Sequence, residues 1–173
     1  MKQIFFILIV VLFSSCEQET LPKFQSVREM LKESSDFHEE NGSLKFISEE
    51  ESNVHVQVSK SILETESREL KEEIVKRDII YVVFQSFAQT NIDQITVTAI
   101  PNDWEDHKKY YDEYAKTVKV SRKDAIKVLE KYLYSTNFSI LYEKKDGSWF
   151  PNKNFSKLKF EKLKEVFNEI YNP

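Results

Sequence analysis

The residues best able to do chemistry in this chain are few and widely spaced. His38, His55 and His107 are isolated from one another, and Cys16 is the only cysteine. His107 ends the densest group of hard ligands, Asp103-Trp104-Glu105-Asp106-His107. Metal sites normally show a fixed spacing, such as the alternating oxygens and central glycine of a calcium loop or two histidines one helical turn apart, and this group has neither. We therefore interpret it as a solvated acidic loop and predict no metal and no other cofactor.

The composition excludes several further classes of function. The chain has 173 residues and only 2 glycines. Phosphate-binding loops, dinucleotide fingerprints and nucleophile elbows all need several glycines at fixed spacing. Among 29 acidic residues some pair of carboxylates is inevitable, so a glycosidase-type pair is not identifiable from the sequence. A formal charge of −4 provides no excess of cations to bind phosphates, which argues against nucleic acid as a partner.

An aromatic-rich stretch is the best candidate for a binding site. Trp104, Tyr110, Tyr111 and Tyr114 lie in one predicted loop, and Trp149 follows a second predicted turn. Tyrosine and tryptophan are rigid and amphipathic, and they dominate binding hot spots. On a loop they would stack on a sugar or anchor a partner protein. The alternative is that they cover the open end of a sheet, which aromatic side chains often do in small α+β domains.

The first sixteen residues predict where the protein is located. One positive charge, on Lys2, precedes ten consecutive apolar residues at positions 4–13. Ten residues are too few to span about 30 Å of hydrocarbon as a helix, but they suit the apolar region of a signal peptide. The small residues Ser14 and Ser15 then precede Cys16.

The segment Leu12-Phe13-Ser14-Ser15-Cys16 resembles the lipobox of bacterial lipoproteins, although Phe13 stands where a small aliphatic residue is usual. The resemblance implies cleavage before Cys16 and acylation there, with palmitate-type chains that anchor the protein to a membrane of the cell envelope, the outer membrane being the expected one. The acidic segment Glu17-Gln18-Glu19 is similar to the export tracts of surface lipoproteins in Bacteroidetes-like bacteria. The alternative is an ordinary secretory signal with a stray cysteine, and unpaired cysteines are unusual in exported proteins.

These observations predict a signal peptide at residues 1–15, a lipidated tether at 16–22 and one α+β domain at 23–173. An aromatic content of 13% and an apolar content of 40% are sufficient for a hydrophobic core and argue against disorder. No family is recognised in the part predicted to fold.

Hydrophobic periodicity predicts the elements that must position the candidate residues. Strands are predicted at residues 44–48, 53–59, 94–100 and 114–120, and helices at 23–34, at 60–89 with Ser59 or Ser61 as N-cap, after a cap at Ser121, and at 156–171. Residues 79–84 are apolar throughout and fit a helix or a buried strand. Asp146-Gly147 predicts a hairpin of residues 138–142 and 148–150. We expect an antiparallel four-stranded sheet with helices packed on one face, followed by the hairpin and the last helix.

Three functions fit these predictions. The favoured one is a membrane-anchored accessory module without enzymatic activity that binds an envelope protein or a glycan. The second is a small hydrolase of cell-wall or envelope glycans, which a deep cleft containing carboxylates of raised pKa would favour. The third is an immunity-type lipoprotein that inhibits a toxin, which a concentrated acidic face would favour because many toxins are basic. A shallow exposed apolar patch would favour a binding module.

Overall fold

A long central helix and a four-stranded sheet organise the fold, which the computed structural model describes for residues 20–34, 36–50 and 53–172. The predicted signal peptide, Cys16 and the acidic residues after it lie outside the described residues, as do positions 51 and 52 of the predicted turn between the first two strands. In chain order the elements are α1 (Val27–Ser34), β1 (Leu44–Glu50), β2 (Asn53–Val58), β3 (Ser61–Ile62), α2 (Arg68–Gln89), β4 (Gln94–Ala99), β5 (Asn102–Asp103), β6 (Lys116–Ser121), α3 (Arg122–Leu133), β7 (Tyr142–Lys145), β8 (Ser148–Pro151), α4 (Lys153–Ser156) and α5 (Leu163–Tyr171).

The four-stranded sheet is mixed, so the prediction of a purely antiparallel sheet is wrong. Its strand order is β1-β2-β4-β6. β1 pairs with β2, and β4 with β6, in the antiparallel sense, whereas β2 and β4 are parallel. The reason is α2, whose 22 residues carry the chain back by about 33 Å before β4 begins. The predicted α+β class, C-terminal hairpin and C-terminal helix are confirmed.

The parallel pairing extends beyond β2 and β4 into the segment that was predicted to start the long helix. The N–H groups of Ile100, Asn102 and Trp104 donate to the carbonyls of three residues spaced two apart, namely Val58, Lys60 and Ile62. This pairing forms β3 and β5. The predicted N-cap at Ser59 or Ser61 is therefore wrong: α2 begins at Arg68, and the Ser67 hydroxyl caps it by accepting from the Leu70 N–H at 3.2 Å.

Residues 79–84 belong to α2, which resolves the choice between helix and strand. This apolar stretch is buried, apart from a half-buried Tyr81. A helix that is apolar on every side must be covered on every side. The cover is provided by β4 and β6 of the sheet, by α1 and α5, and by a 3₁₀ turn at Phe138–Leu141.

In the C-terminal third of the chain, the predicted helix cap and the predicted hairpin turn are both present. The Ser121 hydroxyl accepts from the Asp124 N–H at 3.1 Å, which confirms the predicted cap of α3. Asp146 and Gly147 both have positive φ, 50° and 83°, as a two-residue type I′ hairpin turn requires. The first predicted strand of this hairpin is wrong in part, because Phe138–Leu141 is a 3₁₀ turn and β7 begins at Tyr142.

The last helix is interrupted where a single helix was predicted. α4 passes into a π-helical turn at Lys157–Glu161, and α5 follows from Leu163. Such turns are rare and often lie at functional sites. None of the helices in the described part of the chain has both the length and the apolar content needed to cross a membrane.

Candidate functional site

A cleft of about 760 Å³ separates α1 and α2 from the β7–β8 hairpin. This volume is within the usual range of small-molecule sites. We call it the hairpin cleft and define it by the residues that could contact a ligand, which are Asp36, Tyr81, Gln85, Tyr142, Trp149, Phe150 and Lys159. The sequence analysis identified only Trp149 among them.

One wall of the hairpin cleft is a polar row on the otherwise apolar central helix. Tyr81, Gln85 and Gln89 line the cleft, and their spacing of four places them on one face of α2. The Gln85 side chain is 3% exposed, and its Oε1 atom has no hydrogen-bond partner among the described residues. Polar residues at helical spacing within a buried helix are the sequence signal that could have identified this wall.

Two tyrosines of the cleft, Tyr81 on α2 and Tyr142 on the hairpin, flank the buried ring of Phe155. The ring centroids of Tyr81 and Tyr142 lie 5.5 and 5.8 Å from that of Phe155. The Tyr81 hydroxyl donates to the Asp36 carboxylate, whereas the buried Tyr142 hydroxyl makes no hydrogen bond with any described residue. Burial raises the pKa of both phenols above the ordinary value, so both are protonated donors at neutral pH.

The π-helical turn positions a lysine at the cleft. The Lys159 Nζ atom lies 4.3 Å above the centroid of the Tyr81 ring. Burial lowers the pKa of this ammonium, because a charged group loses its hydration there. No carboxylate of the described residues lies within 4 Å of it. The negative charges of Asp78 and Asp36 partly oppose this shift, so the partly desolvated cation faces carboxylates of the protein itself.

Asp78 belongs to the same polar row of α2 but is not among the residues that line the cleft. It is 4% exposed, and burial raises the pKa of its carboxyl group to about 6. The positive charges of Lys60 and Lys159 partly oppose this shift, and Asp36 adds to it. A buried carboxyl group with a raised pKa next to a cleft is a recognised mark of functional sites.

A second cleft, of about 730 Å³, lies on the other side of Trp149. Thr20, Leu21 and Phe138 contribute to its walls together with Arg122. The Arg122 guanidinium is fully engaged, since its three nitrogens donate to backbone carbonyls at the end of α2 and just beyond it. The hairpin thus separates two openings at the C-terminal end of α2, and Trp149 contacts both.

The predicted aromatic cluster is split by the fold. Tyr111 is buried, with its hydroxyl 2.6 Å from the Asp103 carboxylate, and the Tyr110 hydroxyl donates to the Gly42 carbonyl at 3.2 Å. Tyr110, Tyr111 and the half-buried Tyr114 cover the end of the sheet next to the start of α2, where the Lys71 ammonium lies over the rings of Tyr111 and Tyr114. This placement favours the alternative that they close the sheet.

Trp104 and Trp149 lie near opposite ends of α2. Trp104 is 62% exposed and follows β5, close to the beginning of α2. Trp149 lines the clefts at the other end. The five predicted ligand-binding residues therefore do not form one site, and their role in binding a ligand stays a prediction.

The acidic loop around His107 is held together by its own hydrogen bonds. The Asp103 carboxylate accepts from the Tyr111 hydroxyl and from the N–H groups of Glu105 and Asp106, and these bonds lower the pKa of Asp103 to about 2. His107 Nδ1 lies 3.0 Å from the Ser61 hydroxyl. Within residues 20–34, 36–50 and 53–172, no group of three or more His, Cys, Asp or Glu side chains is arranged to hold a metal.

The other two histidines lie apart from both clefts. His38 is exposed in the loop before β1. His55 is a half-buried residue of β2, and its Nε2 atom lies 2.9 Å from the Thr98 hydroxyl. Burial lowers the pKa of this imidazole.

The chain matches no protein-family model, and no curated protein or solved structure is significantly similar to it. Support for a binding or catalytic role therefore comes from the side chains that line its clefts. The hairpin cleft combines the partly buried Lys159 ammonium and the Asp36 carboxylate with exposed aromatic surface on the hairpin. The unpartnered Gln85 Oε1 atom and Tyr142 hydroxyl are buried within its walls.

Proposed function

We propose that this protein is a lipoprotein of the bacterial cell envelope, anchored through acyl chains on Cys16, that binds a ligand in the hairpin cleft. The observation that carries the binding role is a cleft of about 760 Å³ that is lined by Trp149 and Phe150 of the hairpin and by Lys159. The lipobox-like residues before Cys16 support the anchor. An accessory or binding module of this kind needs no catalytic group.

The path of the chain after the proposed anchor connects the two parts of this proposal. The Phe24 N–H donates to the Gln89 carbonyl at 2.7 Å, and the Lys23 ammonium donates to the Ala88 carbonyl at 2.7 Å. These bonds fix the segment after Thr20 to the C-terminal end of α2. Three residues separate Cys16 from Thr20, and the four Cα-to-Cα steps between them span at most about 14 Å. An acylated Cys16 would therefore hold the hairpin cleft close to the membrane surface.

Metabolic labelling with palmitate tests the anchor. The wild-type protein is expected to incorporate label and to sediment with membranes, whereas Cys16→Ala is expected to lose the label and to leave the membrane fraction. Ser26→Ala is a matched control outside the motif and should behave as wild type. Equal labelling of wild type and Cys16→Ala would refute the proposed anchor.

A small glycan hydrolase is the second candidate, and the raised pKa of Asp78 favours it. A carboxyl group with a pKa of about 6 has the proton affinity of a general acid. A general acid must also reach the substrate, and Asp78 does not line the cleft, which weighs against this candidate. Asp36 would be the second carboxylate, and its bond to the Tyr81 hydroxyl orients it. Purified protein should then release sugars from envelope glycans, and Asp36→Asn should abolish the release. If the wild-type protein releases none, this candidate is wrong.

A further inference from the structure

We infer that the end of the molecule opposite the clefts docks a basic protein segment, which places an apolar side chain against Leu63 and Trp104. This surface goes beyond the proposed anchor and the hairpin cleft and depends on neither. We call it the Trp104 patch and define it by Leu63, Trp104 and the acidic residues next to them, Glu64, Glu105 and Asp106. Its supports are two exposed apolar side chains, a fixed backbone and negative charge.

Leu63 and Trp104 are exposed although both side chains are large and apolar. Their exposed fractions are 50% and 62%. β3 and β5 pair in parallel through Ile62 and Asp103, so Leu63 and Trp104 are the next residues on the two paired chains. Tryptophan is usually buried to a large extent, and it is enriched among the residues that dominate binding energy at interfaces. The two side chains therefore provide an apolar surface that a partner can cover.

The backbone that carries Trp104 is fixed on both sides before any partner binds. The Trp104 N–H donates to the Ile62 carbonyl at 3.0 Å. The Asp103 carboxylate accepts from the N–H groups of Glu105 and Asp106 at 2.8 and 3.1 Å. A preorganised loop loses little conformational entropy when it binds. Contact with the exposed indole can therefore contribute to affinity without the cost of ordering the loop.

The charge around the Trp104 patch determines which kind of partner fits it. Residues 63–69 and 103–113 include eight acidic and three basic residues. One of the three, Lys109, already faces carboxylates, because its Nζ atom lies 3.5 Å from Glu64 and 3.6 Å from Asp103. Complementary charge attracts a partner to an interface, and like charge excludes one. A basic protein segment therefore fits this surface, whereas an acidic segment or an anionic lipid surface does not.

Fluorescence anisotropy of three labelled synthetic peptides tests this inference on the full chain in nonionic detergent, with detergent alone as the blank. The peptide KLKFKLK is basic and apolar, ELEFELE has the opposite charge, and KSKSKSK lacks apolar side chains. We expect KLKFKLK to bind at least about tenfold more tightly than either of the others, and to bind less tightly as salt is added. Equal binding of ELEFELE, equal binding of KSKSKSK, or no binding of KLKFKLK would each overturn the inference.

Substitutions then assign the binding to the Trp104 patch. Trp104→Ala should weaken the binding of KLKFKLK at least about tenfold, as truncation of a central tryptophan does. Glu105→Gln should weaken it less, and this smaller effect should disappear at high salt. Phe150→Ala removes an exposed aromatic ring at the opposite end and should have no effect. If Trp104→Ala keeps the full affinity while its circular dichroism is native, the assignment is wrong.

Sedimentation velocity distinguishes a basic partner from a second copy of this chain. The wild-type protein in detergent is expected to sediment as a monomer over a wide range of concentrations. Self-association that Trp104→Ala abolishes would assign the Trp104 patch to a second copy and overturn the inference. Cys16→Ala should bind KLKFKLK as tightly as the wild type, so failure of the anchor and failure of the docking surface are separate results.

Discussion

Asp78 is buried in α2 among groups of both signs, and its ionised form is poorly stabilised there. Lys60, Lys159 and Arg77 provide positive charge, but Asp36 adds a negative one, and loss of hydration is the largest effect. The pKa of this carboxyl group is therefore about 6 in the folded protein instead of its ordinary value of 3.8. Between these two values the folded state binds more protons than the unfolded state, so the free energy of unfolding falls as the pH rises.

Asp78→Asn is expected to remove this pH dependence. At pH 7 the variant should be more stable than wild type by about 2–3 kcal/mol, because the shift of the Asp78 pKa corresponds to that much free energy. Near pH 4 the two proteins should converge. Denaturant unfolding from pH 4 to pH 7 measures this, with the exposed Asp112→Asn as the control. A stability difference that is the same at both ends of the range would contradict the assignment to Asp78.

Residues with a local role were predictable from the sequence, and residues whose role depends on distant partners were not. The Ser121 cap follows from the spacing to Asp124, three residues away, and it is present. Gln85 and Tyr142 are far apart in the sequence, and only the packing of the hairpin against α2 brings them to one cleft. No periodicity shows that a buried amide oxygen lacks a donor. The polar spacing within α2 was a detectable signal, but it did not identify the opposite wall.

The end of α2 is held by an arginine that belongs to the next helix. Arg122 donates hydrogen bonds to the carbonyls of Phe87, Thr90 and Ile92 at 2.8 to 2.9 Å. Carbonyls at a helix C-terminus have no partner within the helix and carry partial negative charge. Arg122 therefore connects α3 to the end of α2 and to the loop between α2 and β4, next to the segment that begins at Thr20.

Arg122→Gln is expected to destabilise the fold by about 2–3 kcal/mol, because glutamine cannot replace three charge-assisted hydrogen bonds to carbonyls. Lys123→Gln changes an exposed lysine at the next position and should have an effect near zero. Denaturant unfolding of both variants measures the difference. If the two substitutions cost the same, Arg122 does not hold the end of α2 in the way that the geometry indicates.

The hairpin turn can be tested without disturbing packing. Gly147 has a φ of 83°, and no heavy atom lies within 4 Å of the position that a Cβ atom would occupy. Gly147→Ala should therefore cost about 1–2 kcal/mol through backbone strain alone, and Ser148→Ala in the same hairpin should cost much less. Thermal unfolding compares them. An alanine at position 147 that leaves stability unchanged would argue against the type I′ turn.

The direction of β4 relative to β2 was predicted wrongly. The positions of β2, α2 and β4 were close to correct, but the strands were assumed to pair in the antiparallel sense. A strand, a helix of 22 residues and a strand that pairs with the first are the ordinary elements of a parallel connection. The start of α2 was predicted wrongly for another reason. Residues 60–62 cannot join the helix because their backbone pairs with residues distant in the sequence.

The two ends of the molecule carry different surface features. One end carries the segment after Thr20, the hairpin and both clefts. The other carries Trp104 and the aromatic residues that close the sheet. α2 separates these ends by about 33 Å. If Cys16 is acylated, only the end with the clefts lies near the bilayer, and a ligand bound there would come from the membrane-proximal part of the envelope.

Fluorescence quenching by brominated lipids tests this orientation. In acylated protein reconstituted into vesicles, Trp149 in a Trp104→Phe background should be quenched more strongly than Trp104 in a Trp149→Phe background, since the anchor is at most about 14 Å of chain from Thr20. Cys16→Ala protein mixed with the same vesicles should show little quenching of either tryptophan. Stronger quenching of Trp104, or equal quenching of both, would mean that the acidic, aromatic end faces the membrane and that the hairpin cleft opens away from it.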